Sequence, residues 1–226
     1  MFVIWATLKG EYGVAVGSTV GACTLLVTLG YGSIILVATT RLSRKPVKVI
    51  ELSRGTQIDA IYLLVTAIIA LVLAWEGDGL DLKDAAVLTV IFLCYVYHHF
   101  KAAKHFAGST ESDVTRRQLW IAAVQLTMGG IIIVVLSERF VDAMLHLAKW
   151  AGVHPIAVAI VLSPIASELP EKMTAYFTVM RDARNAEISI CNFIGSKVNH
   201  NSFLLAMMPL FGLVRGKSDV HDIVGL

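Results

Sequence analysis

Ile160-Val-Leu-Ser163-Pro164-Ile-Ala-Ser167-Glu168-Leu-Pro170-Glu171-Lys172 sets two carboxylates and two prolines inside a long apolar run. Whether that run lies in water or in lipid decides the fold. Of 226 residues, 56% are hydrophobic and only 16% charged, against roughly 25% charged in an ordinary soluble domain. A mean hydropathy of +0.71 leaves more apolar surface than a water-soluble core can hide. The chain therefore reads as an all-α polytopic membrane protein, because in lipid a helix satisfies its own backbone polar groups.

A span needs ~20 mostly apolar residues. The candidates are residues 13–39, 58–75, 85–100, 119–136, 156–180 and 188–213, about six transmembrane helices. The loops between them sort by charge. Arg41, Arg44, Lys45 and Lys48 follow the first span, and Glu76, Asp78, Asp81 and Asp84 the second. Lys101, Lys104, Arg116 and Arg117 follow the third, and Arg181 and Arg184 the fifth. Positive loops mark the cytoplasm, so the first span starts outside and the sixth inside; Arg215 and Lys217 depart mildly from this pattern. The polar stretch 108–117 reads as a cytoplasmic linker between an N-terminal half, 1–107, and a C-terminal half, 118–226. Within 137–153, Val141, Met144, Leu145 and Ala148 alternate with Glu138, Arg139, Asp142 and Lys149. That spacing predicts an amphipathic helix at the interface, with Trp150 as its anchor.

Two segments share a pattern: Gly17-Ser18-Thr-Val-Gly21-Ala22 and Cys191-Asn192-Phe-Ile-Gly195-Ser196. By the charge rule they run in opposite directions, as in the inverted repeats of many secondary transporters. Gly17 and Gly21 alone also suit a close approach of two helices.

An ionised carboxylate at the bilayer centre costs at least ~2.5 kcal/mol, so it faces a partner or a pathway. Ser167 and Glu171 share a helix face, and Glu168 and Glu171 are neighbours. Pro164 and Pro170 each remove a backbone donor and free a carbonyl upstream, which predicts a broken helix at membrane depth. Carbonyl, carboxylate and hydroxyl oxygens are hard ligands that suit Ca2+ or Na+. On the sixth span Asn192, Ser196 and Asn199 form a polar stripe with Gly195 beside it and His200 at its edge, while Lys197 and Asn201 point more nearly the other way. Two blander readings compete: hydrogen-bonding glue for the stripe, and snorkelling acids at a helix end for Glu168 and Glu171. His98, His99 and His105, with Lys101 and Lys104, read as a hydrated interface. Cys23, Cys94 and Cys191 read as small buried hydrophobes. A net charge of +2 without basic–aromatic alternation argues against nucleic acid.

Ala166-Ser167-Glu168-Leu-Pro170-Glu171 and Cys191-Asn192-Phe-Ile-Gly195-Ser196-Lys197 resemble the two α-repeat motifs of the cation/calcium exchanger superfamily, the sodium/calcium exchanger membrane-region family. Gly17-Ser18-Thr-Val-Gly21-Ala22-Cys23 is similar to the second motif of the other repeat. The resemblance implies part of an inverted-repeat exchanger fold and alternating-access exchange of Ca2+, or another cation, against Na+ or H+. It makes Glu171 the ion-binding carboxylate and Glu168 a nearby charge. Ser167, Asn192, Ser196, Asn199 and His200 complete the ion-binding set, with His200 where Asn or Asp is usual. It implies no enzyme activity and no cofactor beyond the transported cations. The expected partners are the lipid bilayer, inorganic cations and a chain supplying missing helices; the expected place is the cell membrane.

The sequence departs from the family pattern in several places. Lys197 stands where the motif has Asn, and Ala22 and Leu26 lack the oxygens of the first repeat. Residues 1–11 look like the last turns of a helix whose Pro-Glu motif is absent, and the family's final two helices are missing as well. The chain is thus expected to be truncated at both ends. The alternative is a non-transporting subunit that packs with a partner chain. An intramembrane enzyme using Glu168 or Glu171 with His200 would need a nucleophile or a metal set.

Overall fold

A computed structural model describes residues 1–76, 79–107 and 115–214, with helices and no strand among them. The helices are α1 (Phe2–Lys9), α2 (Tyr12–Thr39), α3 (Arg54–Glu76), α4 (Leu82–Ala107), α5 (Arg116–Ala151), α6 (Pro155–Arg181) and α7 (186–214). Most of the linker expected at 108–117, and Arg215 and Lys217, lie outside the described residues.

α2, α3 and α5 are each long and apolar enough to cross a membrane. Leu119, Trp120, Leu126 and Ile131 of α5 all face outward, a surface that water would not tolerate over such an area. α4, α6 and α7 carry the polar residues that lower their hydropathy. Together these features make the chain an integral, multi-pass membrane protein.

Two sequence expectations need correction here. Residues 137–153 are not a separate interfacial helix, because α5 continues unbroken to Ala151. No breaker interrupts it, and its apolar stripe has a protein partner: Val141 and Met144 pack with Val3 and Ala6 of α1. Lys9 of α1 pairs with Asp142 on the same stripe's flank. The helix stops only at Gly152, whose φ of 66° ends it in a left-handed turn.

The second correction concerns Pro164 and Pro170, neither of which breaks α6. Pro164 leaves the Ile160 carbonyl without its usual helical donor, and α2 closes on that carbonyl. A Cβ at Gly21 would stand 2.2 Å from the Ile160 oxygen, and one at Gly17 3.1 Å from Ile156 Cγ2. At Gly21 only glycine lets the two backbones approach this closely. Ser18 and Ser163 bridge the same seam through a buried 2.6 Å hydroxyl pair.

The irregularities lie elsewhere. α2 widens into a π turn at Leu26–Gly30 and α7 at His200–Leu204. These turns are 174 residues apart, the same offset that separates Gly17 from Cys191 in the repeated motif. π turns concentrate at functional sites.

The directions of the helices follow from their contacts. On α2, Gly13 meets Ile156, Ser18 meets Ser163 and Ser33 meets Tyr176, so α2 and α6 run parallel. Cys23 meets Asn201 while Tyr31 stacks on Phe193, so α2 and α7 run antiparallel. The two motif-bearing helices are therefore inverted relative to one another. Between α6 and α7, Asp182 caps a short 3-10 turn, Ala183–Asn185, and pairs with Arg184 and Lys45. The Arg184 hydrogen bonds hold its carboxyl well below the usual carboxylate range. This turn folds α7 back along α6.

Gly21→Ala is expected to destabilise the protein by about 1–3 kcal/mol, since backbone rather than a flexible side chain must move. Gly17→Ala should cost less, as its nearest neighbour is a side-chain methyl. Thermal unfolding of both variants in detergent measures the difference, and equal losses would contradict the seam described above.

Candidate cation site

Glu168 stands midway along α6 and is only 3% exposed. A charge there must be matched, because lipid and packed side chains supply no water. Lys197 of α7, fully buried, pairs with its Oε1. Lys172, one turn along α6, approaches Oε2 at 3.7 Å, and His200 Nε2 lies 4.0 Å from Oε1. Glu168 Oε2 nonetheless has no hydrogen-bond partner. The expectation that Lys197 points away from the site is therefore wrong. Antiparallel packing of α6 on α7 turns the Lys197 face inward, onto Glu168.

Glu171 has different company. Its Oε1 accepts from Asn192 Nδ2 at 3.0 Å and its Oε2 from Ser196 Oγ at 3.4 Å. The Asn192 amide also carries an oxygen and the Ser196 hydroxyl also accepts, so both can turn from donor to ligand when a cation meets the carboxylate. His200 Nδ1 lies 2.7 Å from the Ser196 carbonyl, and an imidazole nitrogen facing a carbonyl must carry the proton. His200 Nε2 is thereby left toward Glu168.

The remaining expected residues fall outside this cluster. Ser167 is exposed on α6 and, with Ser18 and His200, lines a cavity of about 410 Å³ beside α1. Asn199 is half-buried and makes no side-chain hydrogen bond among the described residues. Gly195 faces α4, where a Cβ would meet the Tyr95 hydroxyl at 3.1 Å. Pro164 is buried in the α2 seam. Among the described residues, no group of three or more His, Cys, Asp or Glu is arranged to hold a metal.

Sequence reasoning passed over Asp59. It is 2% exposed in α3, and its Oδ1 lies 2.6 Å from His99 Nε2. Its Oδ2 accepts from Cys191 Sγ at 3.4 Å. The available signal was a lone acid near the start of an apolar helix. His99, its side chain 43% exposed, thus meets a buried acid, while the side chains of Lys104 and His105 lie outside the described ones. The cysteine reading also changes: Cys94 is exposed, and Cys23 and Cys191 are half-buried thiols with polar acceptors.

The architecture and the two motifs can now be set beside known proteins. The chain matches the family model of the sodium/calcium exchanger protein over residues 1–101 and 121–224. It belongs to that family. A curated relative, an uncharacterized membrane protein of Methanocaldococcus jannaschii, is 22% identical over 211 residues, covering 92% of this chain and 64% of the relative. The solved H+/Ca2+ exchanger CAX superposes with a TM-score of 0.75 at 24% identity, covering 94% of this chain and 54% of that one. The sodium-calcium exchanger NCX_Mj superposes with a TM-score of 0.58 at 22% identity, covering 92% and 64%. These superpositions give the chain an exchanger fold. The chain spans between about half and two thirds of the length of the relatives it matches.

Breaking the buried pair from one side should be costly. Glu168→Gln alone, leaving Lys197 charged and unpaired, is expected to destabilise by about 3–5 kcal/mol. Glu168→Gln with Lys197→Gln should recover most of that loss. A thermal-melt double-mutant cycle checks it, and additive losses would show that the two side chains do not interact.

Proposed function

We propose that the chain carries out, or forms the ion-binding core of, secondary-active antiport of Ca2+ or another inorganic cation against Na+ or H+. The observation that carries this reading is the contact of Glu171 with Asn192 and Ser196 across the facing antiparallel helices α6 and α7. A carboxylate with a neutral amide and hydroxyl beside it offers a cation several oxygens at once. Family membership supports cation exchange as the class of activity.

In this reading Glu171 is the principal ligand, with Asn192 and Ser196 as its companions. Ser167 and His200 line the approach through the adjacent cavity, and Asn199 continues the polar stripe along α7. The seam at Gly17 and Gly21 and the two π turns are where the inverted elements would shift between inward- and outward-open forms. Exchange follows if both ions use the same oxygens in turn, since one must leave before the other binds. The chain would work in the cell membrane with lipid as its solvent.

The test is transport in proteoliposomes. Ca2+ uptake driven by an outward Na+ gradient or by a pH gradient is expected from the full product of its coding region. Glu171→Gln should lower that uptake to the level of empty vesicles while leaving the melting temperature nearly unchanged. Gradient-independent or absent cation flux, or full activity in Glu171→Gln, would refute the proposal. Activity that appears only with a co-purifying second chain would favour a subunit role instead.

A further inference from the structure

The most deeply buried charge in the site is a cation that belongs to the protein. Lys197 is 0% exposed and is held against Glu168, while Lys172 stands 3.7 Å from the other Glu168 oxygen. Glu171, one turn further along α6, makes no ion pair among the described residues; its partners are the neutral Asn192 and Ser196. The two carboxylates this chain contributes are therefore unequal. Glu168 is already neutralised, and Glu171 has a free charge.

We infer that Lys197 is a specificity-determining residue, a resident monovalent cation that occupies Glu168, leaves Glu171 as the site carboxylate without an ion pair among the described residues, and so favours monovalent over divalent ions. The inference rests on the reading of Glu171 as the ion-binding carboxylate. Its physical basis is that repulsion by a fixed ammonium grows in proportion to the charge of the incoming ion. A divalent ion at Glu171 feels twice the repulsion of a monovalent one. It also needs more negative charge to replace its hydration, and Glu168, the nearest supply, is occupied by Lys197. The orphaned Oε2 of Glu168 shows that an acceptor remains at this depth once the ammonium is removed. A purely structural role for the pair would stabilise the helix contact without changing which ion binds.

The experiment measures equilibrium binding of 45Ca2+ and 22Na+ to detergent-purified protein, together with the cation-induced rise in melting temperature. The proteins are wild type, Lys197→Gln, Glu168→Gln with Lys197→Gln, and Glu171→Gln. Lys197→Gln is expected to bind Ca2+ at least about tenfold more tightly than wild type, with a much smaller change for Na+. The double variant, which removes both members of the pair, should return Ca2+ affinity to near the wild-type level. Lys197→Gln leaves Lys172, at 3.7 Å, as the remaining lysine partner of Glu168, so its melting temperature should rise with added Ca2+, and it can be purified in that ion. If it does not fold even then, Glu168→Gln is compared with the double variant, where removing Lys197 should again raise the Ca2+ to Na+ preference. An unchanged preference in both comparisons overturns the inference while leaving the cation site intact, provided Glu171→Gln abolishes binding. Wild-type binding in Glu171→Gln, or no binding in any protein, overturns the site reading and the inference together.

Discussion

The contact between Gly21 and the Ile160 carbonyl sets the spacing of α2 and α6, and the interior of the bundle depends on that spacing. Pro164 deprives the carbonyl of its helical donor, and a helix with a side chain at position 21 could not come near enough to cover it. In lipid no water is available to do so. The missing proton of one helix and the missing Cβ of the other are thus complementary. The same approach brings Ser18 onto Ser163 and seals a polar pair away from the acyl chains.

With that seam closed, charge is distributed over the α6–α7 interface in two layers. Glu168 and Lys197 neutralise each other in the interior, while Glu171 keeps polar but uncharged company. A buried pair of this kind contributes little net stability compared with well-packed apolar side chains. Its persistence is better understood through what it does to the electrostatics of the neighbouring carboxylate. The π turn beginning at His200 lies beside this pair, and its counterpart on α2 lies at the equivalent repeat position. Each widens its helix where the repeat motif ends, which gives both halves of the inverted arrangement a point at which to bend.

Sequence patterns carried the class of protein and most of the spans, because hydropathy and loop charge are local properties. They also carried the inverted motif and the shared face of Asn192 and Ser196, since three- and four-residue spacings fix helix faces; that this face meets Glu171 was an implication of the family resemblance. The reading of 137–153 failed because amphipathic spacing does not distinguish a membrane surface from the flank of α1. The broken helix expected at Pro164 and Pro170 failed for a related reason. A proline removes one hydrogen bond, and whether the helix breaks depends on what a second helix offers the freed carbonyl.

By itself the sequence determined that this chain is a helical membrane protein of the exchanger type with acids set midway along a helix. Composition and periodicity suffice for the membrane helices, and the resemblance of the motifs to the family supplies the exchanger type. Only the tertiary structure decided that Lys197 faces Glu168 and that Asp59 is buried against His99 and Cys191. Those outcomes depend on the rotation and direction with which helices far apart in sequence meet. Helical periodicity fixes which residues share a face, but not which face another helix covers.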